Sequence, residues 1–143
     1  MPGIQAASGP ESLREQPAPG PKVLYAVDAR LTPSSPVTDV PRLASLATAA
    51  VHAASGHVLE TSHVTFPNGA VTLVLILAES HLSIHTWPEE DLIAIDLFSC
   101  GAIDGAAVVA ELGRSLRLDG VRARRMDRGL AAGPAAACRG QFS

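Results

Sequence analysis

From Val23 to Met126 the apolar residues recur in two rhythms. Leu43, Leu46, Ala47, Ala50, Val51 and Ala54 return every three or four residues, the period of one helix face, and Asp39 stands where a cap would start it. Gly56 follows as a helix stop. Ala107, Val108, Leu112 and Leu116 repeat the helical rhythm behind a second capping residue, Asp104. Elsewhere the pattern is that of strands: 23–27, 57–66, 71–78, 81–87, 92–98 and 121–126. Pro67-Asn68-Gly69 marks a turn, and Pro88 ends the strand before it. Val71–Ala78 is aliphatic at every position but Thr72 and is expected to be buried on both faces. In 81–87, Leu82, Ile84 and Thr86 alternate with His81, Ser83, His85 and Trp87. The order β-α-β-β-β-β-α-β predicts an α+β fold, a two-layer sandwich with a mainly antiparallel sheet and two helices on one face. The other face needs a cover, and a second copy of the chain could supply it.

The periodicity stops at both ends. Residues 1–21 are rich in Pro, Gly, Ser, Gln and Glu, and a disordered segment is expected there. Residues 129–143 are expected to form a flexible tail, which leaves one folded domain over 22–128.

Charge narrows the function. A net charge of −3 supplies no basic excess for nucleic acid. No apolar run is long enough to span a bilayer, and the N-terminus lacks a charged start followed by an apolar stretch. The expected compartment is the cytoplasm. Cys100 and Cys138 are too few for a disulfide scaffold. Rings make up only 3% of the chain, so those near polar motifs become candidates for ligand contact.

The polar exception to the strand pattern is dense. Glu79-Ser80-His81-Leu82-Ser83-Ile84-His85-Thr86-Trp87-Pro88-Glu89 holds two carboxylates, two histidines, two serines and a tryptophan directly after the most apolar strand. Reactive residues anchored on a buried strand are how a rigid scaffold presents a site. Cys100 follows 20 residues after Ser80, within Asp96-Leu97-Phe98-Ser99-Cys100-Gly101.

These two motifs resemble those of the prokaryotic S-adenosylmethionine decarboxylase proenzymes, which are pyruvoyl-dependent. The resemblance is dense over Phe66–Gly101 and thinner out to Lys22 and Gly129. It implies autocatalytic cleavage between Glu79 and Ser80, with Ser80 as the precursor of the pyruvoyl group. That group forms a Schiff base with the substrate amine and takes up electrons as carbon dioxide leaves, as pyridoxal phosphate does elsewhere. His85 matches the proton acceptor of self-processing, and Cys100 the proton donor to the decarboxylated substrate. Thr72 stands where the family usually has a serine that assists processing. Phe66, Trp87 and Glu89 match the substrate pocket, where a ring stacks on adenine and a glutamate holds the ribose hydroxyls. The implied reaction converts S-adenosylmethionine to its decarboxylated form for polyamine (spermidine) biosynthesis. The fragments 1–79 and 80–143 are expected to stay associated in a homo-oligomer. Neither pyridoxal phosphate nor metal is expected, because the only lysine, Lys22, is far from the motif in sequence. Ala70 and Leu73 depart from the family, which usually shows glycines there.

Three rival readings keep parts of this pattern. The same chemistry could act on arginine or ornithine, whose distal cation calls for acidic groups in place of an adenine stack. His81 and His85, with His63 and Cys100, could form a metal site, although the alternation argues for a strand where a metal pair would favour a helix. An inactive binding protein of the same fold would keep the motif without cleaving.

Overall fold

The computed structural model of the chain describes residues 20–101 and 103–130; the expectations for residues 1–19 and 131–143, including Cys138, fall outside the described residues. Six strands form one sheet, β1 (Lys22–Arg30), β2 (Val58–Thr65), β3 (Val71–Leu77), β4 (Ser80–Trp87), β5 (Leu92–Cys100) and β6 (Asp119–Arg128). Helix α1 (Val40–Ala53) joins β1 to β2, and α2 (Gly105–Ser115) joins β5 to β6. The sheet order is β2-β3-β4-β5-β1-β6, and every neighbouring pair is antiparallel. The α+β sandwich and the element order are those the periodicity predicts.

Both helices begin at the capping residues read from the sequence. Asp39 Oδ1 accepts from Arg42 N at 3.1 Å, and Asp104 Oδ1 accepts from Ala107 N at 3.1 Å. Each bond satisfies a backbone donor that the first helical turn leaves without a partner. Leu43, Ala47, Ala50 and Val51 of α1 and Val108 and Leu112 of α2 are buried against one sheet face. That face presents Leu73, Leu75, Leu82, Ile84, Ile95 and Leu97, all essentially without solvent contact.

The opposite face is open. On β3 the residues alternate buried and accessible, and Ile76 remains 44% exposed. Burial of Val71–Ala78 on both faces is therefore not what a single copy achieves, because both helices lie on the same side. Through the register Thr72–His85–Ala94 and Ile76–His81–Phe98, the open face carries the polar residues of β4 in a row.

Candidate active site

The scissile junction read from the sequence lies in the β3–β4 connection. Leu77 pairs with Ser80, so Ala78 and Glu79 form a two-residue hairpin turn. Such turns normally match the strand twist through positive φ at one or both central residues, which is why Asn-Gly favours them. Ala-Glu does not supply this: neither residue has positive φ, and the positive value falls on Ser80 at 145°. The other described non-glycine residues with positive φ, Ser55, Asp91 and Arg117, lie at 71°, 50° and 53°, where each closes a helical turn. Ser80 is outside that well, in a region that a residue with a Cβ occupies at a cost of about 1–3 kcal/mol.

The surroundings hold the strained peptide in place. Glu79 O accepts from Cys100 N at 3.0 Å, at the end of β5. The Glu79 carboxylate is only 7% exposed, and both its oxygens are engaged by His57. Ser80 Oγ lies 3.4 Å from His81 Nδ1. A hydroxyl next to a carbonyl polarised by a fixed N–H, across a strained peptide, is the arrangement an N→O acyl shift needs. The chain's own residues thus fit a pyruvoyl group formed at Ser80.

The remaining candidates form a second cluster at the far end of β4. Phe66, Asn68, Ala70, Thr72, His85, Thr86, Trp87 and Glu89 line a cavity of about 390 Å³. Thr72 Oγ1 lies 3.2 Å from His85 Nδ1, and the His85 and Trp87 ring centroids are 6.2 Å apart. Thr86 Oγ1 accepts from Val71 N at 2.9 Å beneath the cavity. Asn68, read from sequence only as part of a turn, donates to Glu89 Oε1 at 3.4 Å and orients it. The volume falls in the range of small-ligand sites, and the exposed ring of Phe66 leaves a face free for stacking.

One strand therefore separates the candidates into two groups. Ser80 and His85 are five residues apart on β4, which at ~3.4 Å per residue places them about 17 Å apart within one copy. Glu79, Ser80 and Cys100 come together; Thr72, His85, Phe66, Trp87 and Glu89 come together; a single copy does not unite the groups. The same geometry separates His81 from His85 by about 14 Å along the strand. Among the described residues no three His, Cys, Asp or Glu side chains are grouped to hold a metal ion. Lys22, distant in sequence, is the register partner of Cys100 on β1, so the sequence argument that no lysine lies near the motif does not hold in space. Ala70 and Leu73 do not have positive φ, and Leu73 packs in the core, so neither position requires glycine in this backbone.

A model of the family described as S-adenosylmethionine decarboxylase matches residues 24–129, from within β1 to just past β6. The chain belongs to the S-adenosylmethionine decarboxylase family. Among relatives named S-adenosylmethionine decarboxylase proenzyme, one from Pyrobaculum arsenaticum is 38% identical over 79 residues, covering 54% of this chain and 59% of its own. One from Pseudomonas paraeruginosa is 40% identical over 82 residues, covering 57% of this chain and 51% of its own. A second proenzyme from Bacillus anthracis is 37% identical over 84 residues, 56% of this chain and 68% of that one. The matched region thus spans 51% to 68% of the length of these relatives. The crystal structure of the adenosylmethionine decarboxylase from Aquifex aeolicus shares the fold, with a TM-score of 0.70 at 24% identity over 80% of this chain and 95% of that one. No helix among the described residues is long and apolar enough to cross a membrane.

Two further residues of this family member escaped the sequence reading. His57 was simply the first residue of a strand, and its contact with Glu79 spans 22 positions. His81 stands in the motif and among the metal candidates without a role in processing, although its place next to Ser80 is a usable signal.

Proposed function

We propose that the chain is a self-cleaving proenzyme that converts Ser80 to a pyruvoyl group and then decarboxylates S-adenosylmethionine. The observation that carries this reading is Ser80 at a φ of 145° directly after a carbonyl that accepts from Cys100 N. Ser80 Oγ attacks the Glu79 carbonyl carbon, and the C–N bond breaks to leave an ester and the free Ser80 amine. A base removes the Ser80 Cα proton and Glu79 leaves as a carboxylate, giving dehydroalanine, whose enamine takes a proton at Cβ and loses one from nitrogen to become an imine. Water then replaces the resulting imine nitrogen, which departs as ammonia. No oxidant enters these steps.

The completed group supplies a ketone for the substrate amine and an adjoining carbonyl that accepts electron density. The protein's part is recognition and proton placement. Phe66 and Trp87 offer ring faces to adenine and to the sulfonium cation, Glu89 meets the ribose hydroxyls, and the Cys100 thiol delivers a proton. With two rings beside the Glu89 carboxylate, the cavity fits a nucleoside better than the distal cation of arginine or ornithine.

The 17 Å separation makes the reading dimeric. Two copies packed open face to open face about a two-fold axis near the middle of β4 bring each copy's Ser80 towards the other's His85 and Thr72. Ile76, Val64 and Met126, at 44%, 53% and 57% exposure, are apolar surface suited to such an interface. A second reading keeps the base in the same copy: His81, 3.4 Å from Ser80 Oγ, would serve in place of His85.

Intact mass after purification tests the proenzyme claim. Two associated chains, 1–79 and 80–143, with a pyruvoyl cap on the second, are expected. A single full-length species after long incubation, with serine intact at position 80, overturns it. Side-by-side assay of S-adenosylmethionine, arginine and ornithine is expected to release carbon dioxide from the first; faster release from either amino acid overturns the substrate assignment.

A further inference from the structure

Self-cleavage needs the Ala78-Glu79 turn to stay still while Ser80 carries the strain, and one residue outside the motif touches that turn at three points. His57 O accepts from Ala78 N at 2.9 Å. His57 N donates to Glu79 Oε1 at 3.0 Å. His57 Nδ1 lies 2.9 Å from Glu79 Oε2. We infer that His57 is a positioning residue for the self-cleavage step, clamping Glu79 so that its carbonyl stays in line with the Ser80 hydroxyl. The inference rests on the self-cleavage reading above.

The clamp is built into the end of α1. Gly56 N donates to Val51 O at 2.9 Å, which turns the chain sharply back towards the sheet. A Cβ at Gly56 would lie 2.6 Å from Ile103 Cδ1 and 2.7 Å from Val51 Cγ1, so the close turn into His57 has no room for a side chain unless those neighbours shift. The Glu79 carboxylate is removed from water, and a buried carboxylate is tolerated only with partners; here His57 engages both oxygens. Together with Cys100 N on the carbonyl, the contacts fix Glu79 from both sides of its Cα. Without them the turn could rotate and let Ser80 relax out of its strained φ, losing the approach geometry.

Cell-free translation followed by denaturing electrophoresis gives the rate at which fragment 1–79 appears. His57→Ala is expected to slow it about tenfold or more, since small misplacements of reacting atoms carry penalties of that order. An Asn side chain can place its amide nitrogen where Nδ1 stands, whereas the longer Gln places it nearer Nε2. His57→Asn is therefore expected to recover most of the rate and His57→Gln little of it. Thermal midpoints of the Ser80→Ala forms, which cannot cleave, separate folding from positioning. Cleavage of His57→Ala at the wild-type rate overturns the clamp. Equal slowing of all three variants in step with lowered midpoints also overturns it, because the role is then only structural. A wild-type chain that stays whole removes the self-cleavage reading and the clamp together, whereas wild-type cleavage with an unaffected His57→Ala removes the clamp alone.

Discussion

Co-expressed Ser80→Ala and His85→Ala chains are expected to yield cleaved protein that neither variant yields alone. Ser80→Ala removes the only side-chain nucleophile at the junction, so its own cleavage is abolished. His85→Ala keeps the nucleophile and loses the proposed base, a loss worth ~10²–10⁴ in rate for general-base catalysis. If His85 acts across a two-fold interface, a mixed dimer contains one defective half and one complete half: Ser80 from the His85→Ala chain facing His85 from the Ser80→Ala chain. Random pairing in a symmetric dimer then allows about half of the His85→Ala chains to be cut. Differently tagged chains and mass spectrometry show which chain was cut. Absence of rescue in a verified mixed dimer sinks the composite site. Full cleavage of His85→Ala by itself, with His81→Ala inert, assigns the base to His81 in the same copy, where the 3.4 Å contact already places it within reach of Ser80.

Cys100→Ala is expected to separate the two jobs of the site. Cleavage should persist, because the group that holds the Glu79 carbonyl is the backbone N–H of residue 100, which alanine retains. Decarboxylation should fall by ~10²–10⁴, the range for losing a positioned general acid. When carbon dioxide leaves, the substrate carbon needs a proton, and the thiol is the proposed donor. Without it, protonation at the neighbouring carbon leaves the second chain with an N-terminal alanine and releases the substrate as its aldehyde. Product formation and the mass of chain 80–143 are followed together after adding S-adenosylmethionine. Wild-type turnover with an unchanged second-chain mass overturns the assignment of Cys100.

Much of the site was legible because it is local. Ser80, His81 and His85 sit in one strand with Glu79 directly before it, and the period-2 alternation of β4 already put His81, Ser83, His85 and Trp87 on the face opposite Leu82, Ile84 and Thr86. Phe66, Thr72, Trp87 and Glu89 were separate guesses from the resemblance, and they line one cavity because the β3–β4 register sets Thr72 opposite His85. The contacts that were not legible are those closed by tertiary packing. His57 reaches Glu79 only through the sharp stop at Gly56, and Lys22 stands beside Cys100 only because β1 inserts between β5 and β6.

The amino-acid sequence determined the elements, their caps and the alternation of faces, because helix and strand periods and N-caps are properties of a few consecutive residues. At the junction, Ala78-Glu79 lacks the Asn or Gly that favours positive φ in a two-residue turn, and the positive φ falls on Ser80. The tertiary structure alone decided how far apart the candidates stand. An extended strand separates Ser80 from His85 by about 17 Å however close they are in sequence, and both helices on one face leave the other face open.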